Sequence, residues 1–161
     1  MAKKEKEIKT NAMRILDRMN IKYTHQSYEC EEFVDGLQTA EKLGLPYEKV
    51  YKTLVTVGSD KQHYVFVIPI EKELSLKKAA KAVAVKSVAM IHVKDITQIT
   101  GYVRGGCTAI GMKKQFRTVI DLSAKQLEDI YVSGGKIGCQ IHLSPVDLAT
   151  ACNGTFEDVV M

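Results

Sequence analysis

Val50-Tyr51-Lys52-Thr53-Leu54-Val55-Thr56-Val57, then Gly58-Ser59-Asp60-Lys61, then His63-Tyr64-Val65-Phe66-Val67-Ile68-Pro69-Ile70, is the stretch that sets the fold class. Two runs rich in β-branched and aromatic residues flank a cluster of turn formers, the signature of a β-hairpin. The pattern recurs at Ile130-Tyr131-Val132, Ser133-Gly134-Gly135-Lys136 and Cys139-Gln140-Ile141-His142-Leu143. Short connections of this kind impose antiparallel pairing.

Around the hairpins the helices read as short. Ala12, Ile15, Leu16 and Met19 follow i, i+3, i+4, i+7 spacing and predict a helix capped by Thr10 or Asn11. Ile21 to His25 alternates like a strand, and residues 26–36 read as a polar loop. Thr39 to Leu43 predicts a helix closed by Gly44 and restarted near Pro46. Ser75 caps an amphipathic helix over 75–84, with Leu76, Ala79, Ala80 and Val83 facing inward. Ser87 to Val93 reads as a strand, Lys94 to Thr100 as a helix stopped by Gly101, and Thr118 to Ile120 as a strand. Ser123 and Gln126 predict a capping box, and Ser144-Pro145 opens a last helix ended by Asn153-Gly154. With no regular βαβ alternation, the expectation is an α+β fold: a curved, barrel-like, mixed but largely antiparallel sheet with flanking helices. A single domain over 1–161 is expected, behind a charged tail at 1–8.

The chain of 161 residues is 45% apolar, enough for a full core. It has no apolar run that could cross a bilayer, and its charged N-terminus does not read as a secretory signal. Cysteines 30, 107, 139 and 152 show no CxxC spacing, which suggests reduced thiols and a cytoplasmic location. The net charge of +4 is too mild to establish a nucleic-acid partner, and a solubilising surface explains it equally well. Its distribution is more informative. Lys77, Lys78, Lys81 and Lys86 crowd one segment, and Arg104, Lys113, Lys114 and Arg117 flank a glycine-rich stretch. Two such clusters fit a phosphate backbone.

That stretch, Gly101 to Lys114, holds four glycines and three cations. Its exposed N–H groups suit an anion or oxyanion, although it matches neither a Walker A loop nor a Rossmann fingerprint. The bland alternative is a tight bend with solvated lysines. Lys52 interrupts an apolar strand, sharing a face with Val50 and Leu54. It is either a site residue or an edge lysine that snorkels to solvent. Cys107 has no histidine near it in sequence and reads as a spectator. Cys139 and His142, three apart on a strand, face opposite sides, so no metal is expected. Ser133-Gly134-Gly135 is a turn whose hydroxyl and N–H groups could also line a pocket. Tyr28 and Phe33 lie in a polar loop, where an aromatic either stacks on a base or covers the core.

Tyr51-Lys52-Thr53-Leu54-Val55, the segment Gly101 to Lys114, and Tyr131-Val132-Ser133-Gly134-Gly135-Lys136-Ile137-Gly138, in this order and at these separations, resemble the YbaK/EbsC family of aminoacyl-tRNA deacylases. That family is related to the editing domain of bacterial prolyl-tRNA synthetase. The resemblance runs from about Ala12 to the C-terminus. It implies a cytoplasmic trans-editing enzyme that strips mischarged tRNA, above all Cys-tRNA(Pro), beside prolyl-tRNA synthetase and without a cofactor. It places the essential lysine on Lys52 and the glycine-loop pocket on Gly105 and Gly106. The hairpin serine falls on Ser133, beside Gly134, and the aromatic wall on Tyr28 and Phe33. It also implies that the thiol of the bound cysteine attacks its own ester. Lys77, Lys78, Lys81, Arg104, Lys113 and Lys114 are the expected tRNA contacts. Two departures bear on selectivity: Thr108-Ala109 stands where the family loop often has Ser-Pro, and Gln140 where some relatives carry an acid. Rival readings are editing of alanyl- or another small aminoacyl-tRNA, and a non-catalytic adaptor that binds the acceptor end.

Overall fold

The computed structural model describes residues 9–27 and 36–161. Helix α1 (Asn11–Arg18) starts where the Thr10 side chain accepts a hydrogen bond from the Met13 N–H, and buries Ala12, Met13 and Leu16. Strand β1 (Thr24–Ser27) lies a few residues later than the alternation suggested. Helix α2 (Gly36–Leu43) ends at Gly44, whose φ of 69° suits glycine, and a 3₁₀ turn at Tyr47–Lys49 leads into the first hairpin. This hairpin, β2 (Tyr51–Gly58) and β3 (His63–Pro69), pairs antiparallel from Tyr51–Pro69 to Val57–His63, as the sequence requires. Helix α3 (Leu76–Ala82) is capped by Ser75, and β4 (Val88–Met90) pairs with the far end of β2. Ala79, Ala80 and Val83 are buried as expected; Leu76, in the first turn, is exposed.

Helix α4 (Ile96–Thr100) stops at Gly101 in the left-handed conformation, and the glycine loop runs on into β5 (Arg117–Asp121). The expected Ser123 capping box is replaced by a 3₁₀ turn, Leu122–Gln126. Its cap is Asp121, whose Oδ2 accepts from both the N–H and the hydroxyl of Ser123. The second hairpin is β6 (Ile130–Ser133) and β7 (Cys139–Leu143), again antiparallel. Helix α5 (Pro145–Cys152), capped by Ser144, ends at Asn153 with φ 55° and is followed by β8 (Gly154–Glu157), a strand the sequence reading missed.

The expected barrel is corrected. Among the described residues there are two open sheets, ordered β1-β7-β6 and β4-β2-β3-β5-β8. Nor is the larger sheet mainly antiparallel, because β5 runs parallel to both β3 and β8. Parallel neighbours need long crossovers, here through α3, β4 and α4, and then through β6, β7 and α5. Hairpin logic cannot see such pairs.

The main core lies between α1, one face of the small sheet and the Tyr51–Val55–Val65–Val67 face of the large one. On the other face of the large sheet, Phe66 and Ile68 pack under α3. A third, smaller cluster joins α2, through Ala40 and Leu43, to Val50, Ile70 and Tyr131. It sits where the two sheets meet, and there Val50 and Tyr131 form an isolated parallel bridge.

Candidate active site

Strand registers build one polar row across this junction. Gln26 pairs with Gln140, and Gln140 with Ser133. Paired residues of adjacent strands share a face. The parallel Val50–Tyr131 bridge then starts β2 and β6 in the same direction, side by side. Two residues further on, that register sets Lys52 level with Ser133. The row therefore reads Gln26, Gln140, Ser133, Lys52. Its neighbours Val50 and Tyr131, one step back along the strands, are packed against α2. The opposite face of the small sheet carries Ile130, Val132, Cys139 and Ile141, all in the core.

Lys52 is half-buried, between the cluster under α2 and the one under α3. Gln140 is only 8% exposed, yet its Oε1 is a buried acceptor with no hydrogen-bond partner. Burying an amide oxygen unpaired costs about 1–3 kcal/mol. Such an atom is open to a donor from a ligand or a water molecule.

The glycine loop reaches this site through the hairpin turn. Gly106 is buried against Lys136, so closely that an added Cβ would lie 2.7 Å from the Lys136 Cα and 2.9 Å from its carbonyl carbon. Gly135, at φ 104°, packs its turn against Thr10 and Tyr102. The Tyr102 hydroxyl donates to the Ile110 carbonyl at 2.5 Å, and Asn11 Nδ2 donates to the Gly111 carbonyl at 3.1 Å. These contacts anchor the loop to α1 and to the second hairpin.

Some expected roles change. The Gly106 N–H donates to the Val103 carbonyl at 2.9 Å, closing a turn, so it is not available to an oxyanion. Gly105, at φ 88°, is half-buried beside it. Thr108 is fully buried, and its hydroxyl accepts from the Ile110 N–H. It shapes the loop. Gly134 is buried and committed to the hairpin, its N–H donating to the Cys139 carbonyl. Ser133 stays half-buried, with the Gly135 N–H 3.5 Å from its oxygen. Tyr28 and Phe33 lie outside the described residues.

Cys107 is packed against the core, and burial pushes its thiol up to about 11. It is therefore protonated near neutral pH and a poor nucleophile. Cys139 and His142 do face opposite sides: Cys139 is in the core, while His142 stacks on Tyr131. Among the described residues no three His, Cys, Asp or Glu side chains are grouped for a metal ion. No helix among them is long and apolar enough to cross a membrane.

Of the expected tRNA contacts, Lys77, Lys81, Arg104 and Lys114 are exposed. Lys78 is instead tied to the C-terminal segment, through Asp158 at 3.0 Å and the Val160 carbonyl at 2.9 Å. Lys113 bonds the Gln98 carbonyl and lays its stem near Gly101. Both are partly structural.

Comparison with known proteins decides the family. Residues 31–151 match the model of the aminoacyl-tRNA editing domain. This chain is a member of that family. It is 44% identical over 160 residues to EbsC of Enterococcus faecalis, named as a candidate Cys-tRNA(Pro)/Cys-tRNA(Cys) deacylase; the match covers 99% of this chain and 98% of that one. Among solved structures, a candidate trans-editing enzyme for prolyl-tRNA synthetase shares the fold with a TM-score of 0.79 at 17% identity, covering 96% and 99% of the two chains. The crystal structure of a hypothetical protein matches with a TM-score of 0.83 at 20% identity, covering 92% and 97%.

Proposed function

We propose that this member of the editing family is a trans-acting deacylase that removes cysteine from Cys-tRNA(Pro), with Cys-tRNA(Cys) as a second substrate. The observation that carries the reading is the junction row: a half-buried lysine, a serine hydroxyl and an orphaned buried amide oxygen, closed on one side by a glycine loop. An aminoacyl ester offers complementary groups. Its α-ammonium is the donor that Gln140 Oε1 lacks, Ser133 holds the amino-acid end, and Lys52 binds the carbonyl region or the terminal adenosine by charge. The Gly105 N–H is the loop donor assigned to the developing oxyanion, a type of contact worth about 3 kcal/mol.

Nothing in this row is an activated nucleophile. The substrate thiol fills that role: its sulfur attacks the carbonyl carbon, the bond to the ribose oxygen breaks, and that oxygen leaves with a proton. The product is a cysteine thiolactone that water then opens. The protein contributes position and electrostatics, which suffice for an intramolecular reaction. Lys77, Lys81, Arg104 and Lys114 track acceptor-stem phosphates in this reading. A cytoplasmic site of action, a single functional domain and a transient contact with prolyl-tRNA synthetase go with it.

The test is multiple-turnover deacylation of Cys-tRNA(Pro), with Ala-tRNA(Pro), Pro-tRNA(Pro) and Ser-tRNA alongside. Wild type should turn over the cysteinyl ester fast and the seryl ester far more slowly, and Lys52→Ala should abolish turnover with the fold intact. Equal rates on cysteinyl and seryl esters would replace the substrate thiol with water. Preference for the alanyl ester would shift the specificity. Binding without turnover on any ester would leave an adaptor.

A further inference from the structure

The two sheets that supply the site are joined by little backbone pairing. Among the described residues the Val50–Tyr131 bridge is the one ladder contact between β2 and β6. Side chains beside it form a compact knot. Asp129 precedes β6, Lys49 precedes Val50, and Lys49 Nζ lies 3.1 Å from Asp129 Oδ1. The other carboxylate oxygen, Oδ2, lies 3.2 Å from His142 Nε2 on β7. The His142 ring stacks on Tyr131, with centroids 4.2 Å apart and planes 9° from parallel. Its Nδ1 is 3.3 Å from the Thr24 hydroxyl on β1. In the neutral ring, Nε2–H donates to Asp129 and Nδ1 accepts from Thr24, so both nitrogens and both carboxylate oxygens are engaged. One carboxylate thus ties the entrance of β2 to the whole small sheet, a few residues upstream of the polar row.

We propose that Asp129 is a positioning residue for deacylation: by bridging Lys49 and His142 it fixes the register in which β2 meets β6, and so keeps Lys52 level with Ser133. The proposal rests on the site assigned above. Stability is not the main use of this knot. Lys49 and Asp129 side chains remain 36% and 33% exposed, and pairs so exposed to solvent add little to folding. Geometry is another matter, because a misplacement of about 1 Å can lower a rate by about 100-fold. Loss of the carboxylate should therefore appear in kcat far more than in KM or in melting temperature. A role confined to stability would give the reverse.

The test uses the full chain with Asp129→Ala, Asp129→Glu and wild type. Steady-state deacylation of Cys-tRNA(Pro) is measured beside thermal melting and hydrogen exchange. Asp129→Ala should lower kcat by about 10-fold or more, leave KM within about threefold, and shift the melting temperature by only a few degrees. Amide exchange should rise in segments 49–55 and 129–134 and stay unchanged in β5 and β8. Asp129→Glu, which keeps the carboxylate, should recover most of kcat. Unchanged exchange at the junction would show that Asp129 does not hold the register. Raised exchange with unchanged kcat would show that the register does not govern the chemistry. Either result overturns the proposal. If wild type itself turns over no cysteinyl ester, the functional reading falls, while the exchange comparison still decides whether Asp129 holds the junction.

Discussion

Replacing Gly106 with alanine tests how tightly the glycine loop must sit on the hairpin. The residue is not in the left-handed region, so alanine meets no conformational penalty of its own there. The conflict is purely spatial. A Cβ would stand 2.7, 2.9 and 3.0 Å from three backbone atoms of Lys136, and backbone cannot rotate aside as a side chain does. Going from 2.7 Å to the 3.4 Å at which ordinary contact begins requires the two segments to part by about 0.7 Å. Overpacking of this kind destabilises by about 1–3 kcal/mol, and about 2 kcal/mol in a chain of this size lowers the melting temperature by about 4–8 °C. The same displacement shifts the loop against the hairpin that carries Ser133, for an expected loss in kcat of about 10- to 100-fold. Thermal melting and Cys-tRNA(Pro) turnover read the two effects separately. Gly44→Ala is the control: its φ of 69° brings strain but nothing lies within 4 Å, so it should melt lower and still turn over. A Gly106→Ala protein with wild-type melting and wild-type kcat would refute the close approach and the argument built on it.

Cys107→Ser should keep kcat near wild type, with the same profile from about pH 6 to 9, because burial holds the thiol protonated in that window; a full loss of turnover would restore an enzyme nucleophile. Asp121 is buried, and its carboxylate accepts from the Ser123 N–H, the Ser123 hydroxyl and the Val159 N–H. Asp121→Ala leaves the Ser123 and Val159 N–H groups unpaired, although the Ser123 hydroxyl keeps Tyr51 as a partner, and should cost about 3 kcal/mol, seen as a fall in melting temperature of about 6–12 °C. The Asp129 carboxyl is held below its usual 3.8, chiefly by the hydrogen bond from Lys49, so its small contribution to stability is present above that value and disappears as pH falls through the lower folded-state value. Denaturation curves of Asp129→Asn and wild type should therefore differ at pH 6 and draw together as the pH falls well below 3.8.

Both hairpins, the caps at Thr10, Ser75 and Ser144, and the stops at Gly44, Gly101 and Asn153 were legible because each depends on residues a few positions apart. What could not be read depends on partners distant in sequence. Strand β8 is four residues with mixed exposure, and only pairing with β5 makes it a strand. The Asp121 cap displaced the Ser123 box because its carboxylate also reaches Val159, which no local pattern reveals. At the site, residue types were legible and availability was not. Thr108 and the Gly106 N–H both look free in a glycine-rich stretch, but the loop closes on itself and uses them. Lys52 and Ser133 were recognisable singly; that their strands run side by side follows from a bridge between two sheets. Asp129 escaped notice altogether, and His142 was weighed only as a metal ligand, since an acid in a turn and a histidine on a strand carry no further signal until the rings stack and the carboxylate bridges.

Placing the constellation at a junction has a kinetic consequence. Each sheet is built largely around its own hairpin, which can close early because its turn is short. The junction joins groups as remote as Lys49 and Asp129, 80 residues apart, and its closure must await the ordering of everything between them. On refolding, helix and strand signals should return before activity does. The contacts that bring the row together are thus expected among the last to form.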